Sequence, residues 1–256
     1  MELAALKESL RKLAPNAVPV WTPEDRENRL PTGNQTLDAL LAGGLPEGAI
    51  TELSGEASSG KTALALSMAR ARTENDQLVA FLDTSGQLYP PAAAALGIDL
   101  RRLLVISLAR PGATRRTKLE PGVALARATD ILIRARHFPL IIIDLPTARL
   151  LPAKRIARLR QNAHATGATL LTLCNQPGTT VGAAMRLRVW PHKGPRTSRR
   201  LEVRVEKSRA AGGRAVVELS SFRVDHRPPR PLAKPINRTA PGVAPAKPTR
   251  ALEGAA

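Results

Sequence analysis

Short apolar runs alternate with stretches of helical periodicity through the middle of the chain. The runs are apolar on both faces instead of alternating with polar residues, a pattern typical of strands buried inside a parallel sheet. Strands are predicted at 49–53, 78–82, 103–107, 140–143 and 169–173, and helices near 34–42, from residue 61, around 90–96, and at about 119–137 and 152–165. This alternation predicts an α/β fold with a mostly parallel sheet that helices flank on both faces.

The pattern changes after Gln176, where shorter runs alternate between polar and apolar positions. Strands are predicted at 186–190, 201–205 and 216–222, and together they are interpreted as a terminal β-meander. Leucines three or four residues apart near the start of the chain predict a short amphipathic helix: Leu3, Leu6, Leu10 and Leu13. From Asp225 onward, prolines among basic and small residues predict a disordered arm. The expected organisation is an N-terminal helix and linker over 1–30, a core over 31–224 and a Pro-rich basic disordered tail over 225–256.

The composition adds a strong positive charge to this picture. The chain has 39 Lys and Arg against 21 Asp and Glu, a formal net charge of +18, which predicts attraction to polyanions such as nucleic acid. Only 2% of the residues are aromatic, so contacts to DNA are expected to be nonspecific and made mainly to phosphate. An apolar run of bilayer length is missing, which excludes a membrane-embedded protein. A single cysteine, Cys174, and an N-terminus without a signal pattern predict a reducing, intracellular setting.

A phosphate-binding loop follows the apolar run at 50–54. The sequence Gly55-Glu56-Ala57-Ser58-Ser59-Gly60-Lys61-Thr62 fits the pattern G-x-x-x-x-G-K-[ST], and a helical stretch starts at Lys61. The glycines let backbone N–H groups turn toward the β-phosphate, the helix N-terminus adds a positive dipole, and Lys61 adds a charge for the β- and γ-phosphates. The predicted nucleotide-binding residues of the loop are Gly55, Ser58, Ser59, Gly60, Lys61 and Thr62.

A second element of the same site is the apolar run 140–143, which is followed by Asp144. An acidic residue at the carboxyl end of such a strand is suited to hold Mg²⁺ through water, while the hydroxyl of Thr62 ligates the ion directly. Thr62 and Asp144 are therefore the predicted metal residues, and ATP and Mg²⁺ are the predicted cofactors. The four histidines lie far apart without ligand spacing, which argues against a zinc site. Cys174 lies in a predicted buried strand and is interpreted as a core residue.

These motifs belong to a longer pattern that resembles the RecA family of bacterial recombinases over its ATPase core. Before the loop it includes Thr32-Gly33, Thr36-Leu37-Asp38 and Gly43-Gly44-Leu45-Pro46-Glu47-Gly48. After the loop it continues through Phe81-Leu82-Asp83, Leu96-Gly97-Ile98 and the Asp144 strand, and it ends near Arg209. A generic phosphate loop does not require the lead-in before the loop. The resemblance therefore implies a RecA-like P-loop NTPase core.

One position departs from the family in a way that bears on catalysis. The resemblance places Ser85 where RecA-like recombinases carry the glutamate that activates the attacking water. A serine hydroxyl does not accept a proton at neutral pH, so the sequence predicts ATP binding with weak or absent hydrolysis and no confident catalytic residue. Tyr89 stands where the family has an aspartate near the adenine, and packing against the apolar residues that follow it is favoured over stacking on the base.

Three further residues are candidates by resemblance. Gln176 falls where the family's sensor glutamine couples the γ-phosphate to a DNA-binding loop, and it is interpreted either as that sensor or as a capping amide. Lys207 and Arg209 match two basic residues that reach across to the γ-phosphate of a neighbouring subunit; the alternative is a basic surface hairpin. The loops after Asp144 and Gln176, which grip single-stranded DNA in a recombinase filament, are cut down in this chain.

A RecA-like core with these changes resembles the ImuA family of the bacterial DNA-damage (SOS) response. The resemblance implies an accessory role in mutagenic translesion synthesis, with DNA, a Y-family polymerase-like protein and an error-prone C-family polymerase as partners. It also implies a cytoplasmic, nucleoid-associated location in a bacterium, and it leaves self-association open. Two alternatives remain. One is an active DNA-stimulated ATPase or recombinase paralogue in which Asp83 or a neighbour's acid activates water; the other is a cell-division regulator on a RecA-like scaffold.

Overall fold

The computed structural model describes residues 28–108, 120–147, 150–193, 200–208 and 211–219. The predicted N-terminal helix and the predicted basic tail lie outside these ranges, as does Arg209. Among the described residues, no helix combines the length and the apolar character needed to cross a membrane.

The described strands form a small antiparallel pair and one large sheet. The pair consists of β1 (Arg29–Leu30) and β2 (Leu45–Pro46). The strands of the large sheet are β3 (Ile50–Ser54), β4 (Val79–Asp83), β5 (Leu103–Ser107), β6 (Leu140–Asp144), β7 (Thr169–Cys174), β8 (Met185–Pro191), β9 (Arg200–Lys207) and β10 (Gly213–Glu218). They lie in the order β10-β9-β8-β3-β7-β6-β4-β5.

Within the large sheet, neighbouring strands from β8 to β5 pair in parallel, whereas β9 pairs antiparallel with both β8 and β10. Strand β3 lies between β7 and β8 and is parallel to both. Strands β8, β9 and β10 form the antiparallel meander. The predicted α/β fold, its mostly parallel sheet and its terminal meander are therefore confirmed. The predicted start of the last strand at residue 216 is wrong, because pairing with β9 extends the strand back to Gly213 opposite Val205.

Helices connect the parallel strands and cover both faces of the sheet. They are α1 (Gln35–Leu40), α2 (Lys61–Glu74), α3 (Pro90–Ala95), α4 (Pro121–Ala135) and α5 (Ala153–Thr166), with a 3₁₀ turn at Leu100–Arg102. The caps follow from the local sequence. The side chain of Asn34 accepts a hydrogen bond from the Leu37 N–H at the start of α1, and Pro121 occupies the first turn of α4, where its missing N–H costs nothing. The predicted positions of these helices are confirmed.

Two apolar clusters, one on each face of the sheet, hold the layers together. Leu64 and Met68 of α2 belong to the cluster that contains Phe81, Ile142 and Leu171. The other cluster joins α4 and α5 to the opposite face, through Leu125, Ile133, Ile156, Leu159, Ile141 and Ile143. Successive residues of β6 thus enter opposite clusters, which explains why the strand is apolar without alternation.

The sheet order brings one set of chain turns to a single edge. Because β3, β7, β6 and β4 are consecutive parallel neighbours, their carboxyl ends lie side by side. The residues that follow these ends are Gly55, Asn175, Leu145 and Thr84. In open α/β sheets this edge is where ligands bind.

Candidate nucleotide-binding site

The loop from β3 into α2 lies close against β8 and β9, and this contact explains its glycines. Gly60 caps α2 with φ 90°, a left-handed conformation, and a Cβ there would lie 2.5 Å from Leu201 Cδ2. A Cβ on Gly55 would lie 2.6 Å from the carbonyl oxygen of Val189. Side chains at either position would push the loop away from the meander. The glycines of the motif are therefore required by this fold's own packing as well as by backbone freedom.

The loop carries unused hydrogen-bonding groups of the kind that phosphate oxygens need. The hydroxyl of Ser59 is buried and has no hydrogen-bond partner among the described residues. The ammonium of Lys61 folds back over the loop and donates to the Glu56 carbonyl oxygen at 3.1 Å. Burial lowers the pKa of Lys61, and the charge of Asp144 partly opposes this change. The donors and the cation therefore fit a phosphate group.

Asp144 contacts Ser85, the residue that the resemblance to the RecA family places at the glutamate position. The Ser85 hydroxyl donates a hydrogen bond to Asp144 Oδ2, and the Thr84 hydroxyl donates to the Asp144 carbonyl oxygen at 2.8 Å. Burial raises the pKa of Asp144; the Ser85 hydrogen bond and the charge of Lys61 oppose this rise, and the charge of Asp83 adds to it. The pairing of β4 with β6 creates this contact between residues that are distant in the chain.

Asp83 shapes the backbone that follows β4. Asp83 is 3% exposed, and its Oδ1 accepts hydrogen bonds from the N–H groups of Gly86 at 2.8 Å and Gln87 at 3.2 Å. Its Oδ2 accepts one from the Leu88 N–H at 3.1 Å. Both oxygens are therefore engaged by the loop itself, and Asp83 acts as a structural cap in this structure.

The remaining predicted residues lie around this edge in different environments. Thr62 is exposed in the first turn of α2, and Gln176 is exposed after β7, where its carbonyl oxygen accepts a hydrogen bond from the Thr179 hydroxyl at 2.7 Å. Lys207 is exposed at the end of β9 and donates to the carbonyl oxygen of Ala183 in its own chain at 2.8 Å. The structure thus brings Lys61, Ser85 and Asp144 together, and it places Lys207 in the meander.

Two predictions outside the loop have clear outcomes. The expectation that Tyr89 packs against its neighbours is wrong, because the residue is 66% exposed. Tyr89 is the N-cap of α3 in an extended conformation, and Pro90 begins the helix directly after it. The expectation that Cys174 is a core residue is confirmed, since it is fully buried. Burial raises the pKa of the Cys174 thiol to about 11.

Glu52 is a residue that the sequence reasoning missed. It lies in β3 directly before the loop and is fully buried. Its carboxylate accepts hydrogen bonds from the N–H groups of Gly178 at 2.6 Å and Thr180 at 2.5 Å, and Arg186 Nε lies 3.5 Å from it. Glu52 therefore ties the strand of the phosphate loop to the segment that carries Gln176. An acidic residue inside an apolar strand was the signal that could have revealed it.

A cavity of about 620 Å³ lies on the side of the loop that faces the meander. It is lined by residues 55–59 together with Asn175, Pro177, Arg188, Trp190 and Arg204, among others. Arg188 is paired across strands with Arg204, and Arg204 with Arg214. Like charges that face each other across strands repel. Arg204 forms no hydrogen bond or ion pair within the described ranges, whereas Arg188 lies 3.7 Å from Glu206 and Arg214 lies 3.0 Å from Glu202. Arg204 is therefore the member of this row that keeps its donors free beside the loop.

Comparisons with known proteins agree with this architecture. A family profile described as the RecA N-terminal domain matches residues 7–173. Protein RecA of Nostoc sp. is 33% identical over 139 residues, which are 54% of this chain and 36% of that protein. Protein RecA of Synechocystis sp. is 37% identical over 131 residues, which are 51% of this chain and 34% of that protein. Protein RecA of Brucella anthropi is 34% identical over 157 residues, which are 61% of this chain and 39% of that protein. The chain therefore spans little more than a third of the length of these curated relatives.

Proposed function

The chain belongs to the RecA family, and from this premise we propose that it binds ATP with Mg²⁺ at the loop 55–62 and hydrolyses it slowly or not at all. Lys61, the loop N–H groups and the unpaired Ser59 hydroxyl are suited to hold the phosphates. Thr62 and Asp144 are the residues that would hold the metal. When bound, Mg²⁺ supplies positive charge that offsets the charge of the phosphate oxygens.

The observation that carries the proposal of weak hydrolysis is that no carboxylate at the carboxyl end of β4 is free to accept a proton from water among the described residues. Ser85 replaces the family's carboxylate and uses its hydroxyl hydrogen to bind Asp144. The acid at the end of β4 is Asp83, and its two carboxylate oxygens accept hydrogen bonds from three backbone N–H groups. A general base needs a free lone pair directed at the water whose proton it accepts. Because Asp83 is also 3% exposed, an active ATPase that uses it as the base would require the loop after β4 to open and admit water.

We further propose that the protein binds DNA nonspecifically through phosphate contacts. The row of Arg188, Arg204 and Arg214 supports this, because it concentrates guanidinium groups on one face of the meander. The predicted basic tail would add long-range attraction. We also propose that a second copy's nucleotide is contacted by Lys207 and Arg209. Lys207 would then exchange its hydrogen bond to the Ala183 carbonyl oxygen for one to the phosphate.

The cellular role proposed is that of an ImuA-like accessory protein in DNA-damage-induced, error-prone translesion synthesis. The proposed partners are a Y-family polymerase-like protein and an error-prone C-family polymerase, and the proposed location is the nucleoid. Short connections support an accessory role over strand exchange: residues 175–184 join β7 to β8, and residues 145–152 join β6 to α5. A cell-division role has no specific observation in its favour among the described residues.

ATP binding and turnover test the first proposal. The full-length protein, Lys61→Ala, Ser85→Ala and Ser85→Glu are compared for binding of a fluorescent ATP analogue and for phosphate release, with and without single-stranded DNA. We expect binding by all except Lys61→Ala and near-background turnover by the wild type and Ser85→Ala. Ser85→Glu should turn over faster, because it returns a proton acceptor to the end of β4. Rapid wild-type turnover that Asp83→Asn abolishes would contradict the proposal and favour the active ATPase.

Mutagenesis in the source bacterium tests the cellular role. Deletion of the gene should lower the frequency of mutations induced by DNA damage while homologous recombination stays intact, and plasmid-borne wild type should restore it. A loss of recombination with normal induced mutagenesis would favour the recombinase paralogue. A change in cell length without either defect would favour the cell-division regulator.

A further inference from the structure

A groove of about 580 Å³ lies between α4 and α5, and its walls come from these two helices alone. Its apolar lining includes Val123, Ala126 and Leu159, of which Leu159 is buried. Ile131 also lines it and is 68% exposed. Leaving an isoleucine open to water in the wall of a concave surface forgoes hydrophobic stabilisation, which is typical of a surface that another molecule covers.

Arginines surround this apolar lining. The groove is bordered by Arg127, Arg134, Arg155 and Arg158, whereas Asp130 is the acidic residue in its lining. The carboxylate of Asp130 is already engaged, since it pairs with Arg134 at 3.0 Å and accepts a hydrogen bond from Asn162. The groove therefore has a net positive charge that its own acid does not neutralise.

The guanidinium groups of this border retain free donors. Within the ranges that the structure describes, neither Arg127 nor Arg158 forms a hydrogen bond or an ion pair. Nη1 of Arg155 is buried without a partner there, although Nη2 of the same residue lies 3.9 Å from Glu120. A buried donor without a partner costs free energy, and an incoming carboxylate would satisfy it.

We propose that the groove between α4 and α5 binds an acidic amphipathic helix of another protein. The apolar face of such a helix would cover Val123, Ile131 and Leu159, and its flanking carboxylates would pair with Arg127 and Arg158. A helix of this kind repeats its apolar residues at i, i+3, i+4 and i+7, which is the arrangement that a groove between two helices accepts. This proposal does not depend on nucleotide binding or on the polymerase partner named above.

Charge and polarity argue against the other occupants. A DNA backbone has no apolar side that would cover Ile131, so it would leave the isoleucine exposed. The amphipathic segment of this chain's own residues 1–13 has the leucine stripe, but its basic residues outnumber its acidic ones: Lys7, Arg11 and Lys12 against Glu2 and Glu8. A second copy would therefore bring positive charge to a positive groove.

Fluorescence anisotropy with the full-length protein tests the proposal. The probe is a labelled helical peptide with a leucine stripe flanked by glutamates. Three control peptides are used: one with lysine in place of each glutamate, one with the same glutamates but no leucine stripe, and one with residues 1–27 of this chain. The variants are Ile131→Asp and the double variant Arg127→Glu/Arg158→Glu. Lys154→Glu is the matched control, because Lys154 is exposed on α5 but does not line the groove.

We expect the glutamate–leucine peptide to bind the wild type and Lys154→Glu equally. Binding should weaken about tenfold in Ile131→Asp and at least about fivefold in the double variant. Far-UV circular dichroism and urea unfolding should stay unchanged in all variants, which shows that they are folded without reference to the nucleotide site. Fluorescent ATP analogue binding is measured separately, and its absence in the wild type would contradict the nucleotide proposal alone. Failure of the acidic peptide to bind, or equal binding of the stripe-free peptide, would overturn the proposal. If the 1–27 peptide binds and the groove variants abolish its binding, the groove is a site for a second copy of this chain. If the groove variants abolish binding of single-stranded DNA, the groove is a nucleic-acid site.

Discussion

Replacing Glu52 tests whether a buried carboxylate holds the phosphate loop and the segment after β7 in one arrangement. Glu52 is fully buried and accepts hydrogen bonds from the Gly178 and Thr180 N–H groups, with Arg186 nearby. Glu52→Gln keeps the shape of the side chain but has a single acceptor oxygen, and its amide nitrogen would face one of the two N–H donors. Glu52→Ala removes both acceptors.

The expected size of the effect follows from these contacts. A hydrogen bond to a charged partner contributes about 1.5–3 kcal/mol, and a buried donor left unpaired costs about 1–3 kcal/mol. Glu52→Gln loses one such bond, so we expect a loss of about 2 kcal/mol in the free energy of unfolding. Glu52→Ala leaves two N–H groups and Arg186 without a partner, so the expected loss is about 3–5 kcal/mol.

Urea denaturation followed by far-UV circular dichroism measures these losses. Glu56→Gln is the matched control, because Glu56 is exposed in the next loop and its side chain forms no hydrogen bond or ion pair among the described residues. Proteolysis should cut the segment 175–184 of Glu52→Gln faster than that of the wild type. If Glu52→Gln unfolds within about 0.5 kcal/mol of the control, the assigned role of the buried carboxylate is wrong.

Three further predictions address the loop, the core cysteine and the arginine row. Gly60→Ala should lose about 1–3 kcal/mol of stability and most of its affinity for an ATP analogue, because Gly60 has a φ of 90° and a Cβ there would contact Leu201. Gly212 has open space around it, so Gly212→Ala should behave as the wild type. Equal stability of the two variants would contradict this prediction. The Cys174 thiol, with a pKa of about 11 against an ordinary 9.0, should resist a disulfide reagent in the native state at pH 8, and rapid labelling would refute its burial. The same shift predicts that stability falls as the pH rises from about 9 to 11, since the unfolded thiol loses its proton first; Cys174→Ala should lack this part of the decline in pH-dependent urea titrations. Arg204→Ala should weaken DNA binding equally for all sequences and reduce the slope of log affinity against log salt by about 1, whereas Lys154→Ala should not; a sequence-dependent loss would contradict phosphate contact.

Local pattern was sufficient to predict the helices and strands, and it also supplied most of the residues that are proposed for the nucleotide site. The strand before the loop, the loop itself and the helix after it are consecutive in the chain, so the motif at Lys61 already contained its structural context. Asp144 was predictable for a similar reason, since it ends an apolar strand whose neighbours are also parallel. The apolar runs without alternation were sufficient to predict a sheet covered on both faces.

The environments of individual residues depended on contacts that no local pattern encodes. The expectation for Tyr89 failed because its apolar neighbours form α3 and leave the ring in solvent. The prediction for the start of β10 was wrong because pairing with β9, and not the local sequence pattern, sets where the strand begins. The contact of Ser85 with Asp144 needs β4 beside β6, and the burial of Glu52 needs the segment after β7 to fold over β3.

The sequence by itself determined the alternation of strands and helices and the phosphate-loop motif, because each is written in residues close together in the chain. The assignment of Ser85 to the family's glutamate position rests on the resemblance and stays a prediction. Only the tertiary structure decided that β8 lies parallel beside β3, which sets Arg188 and Arg204 next to the loop. It also decided that α4 and α5 enclose a groove lined by arginines. The physical reason is that side-chain periodicity shows which face of a strand or helix is buried, whereas the choice of neighbour depends on pairing and packing between distant segments.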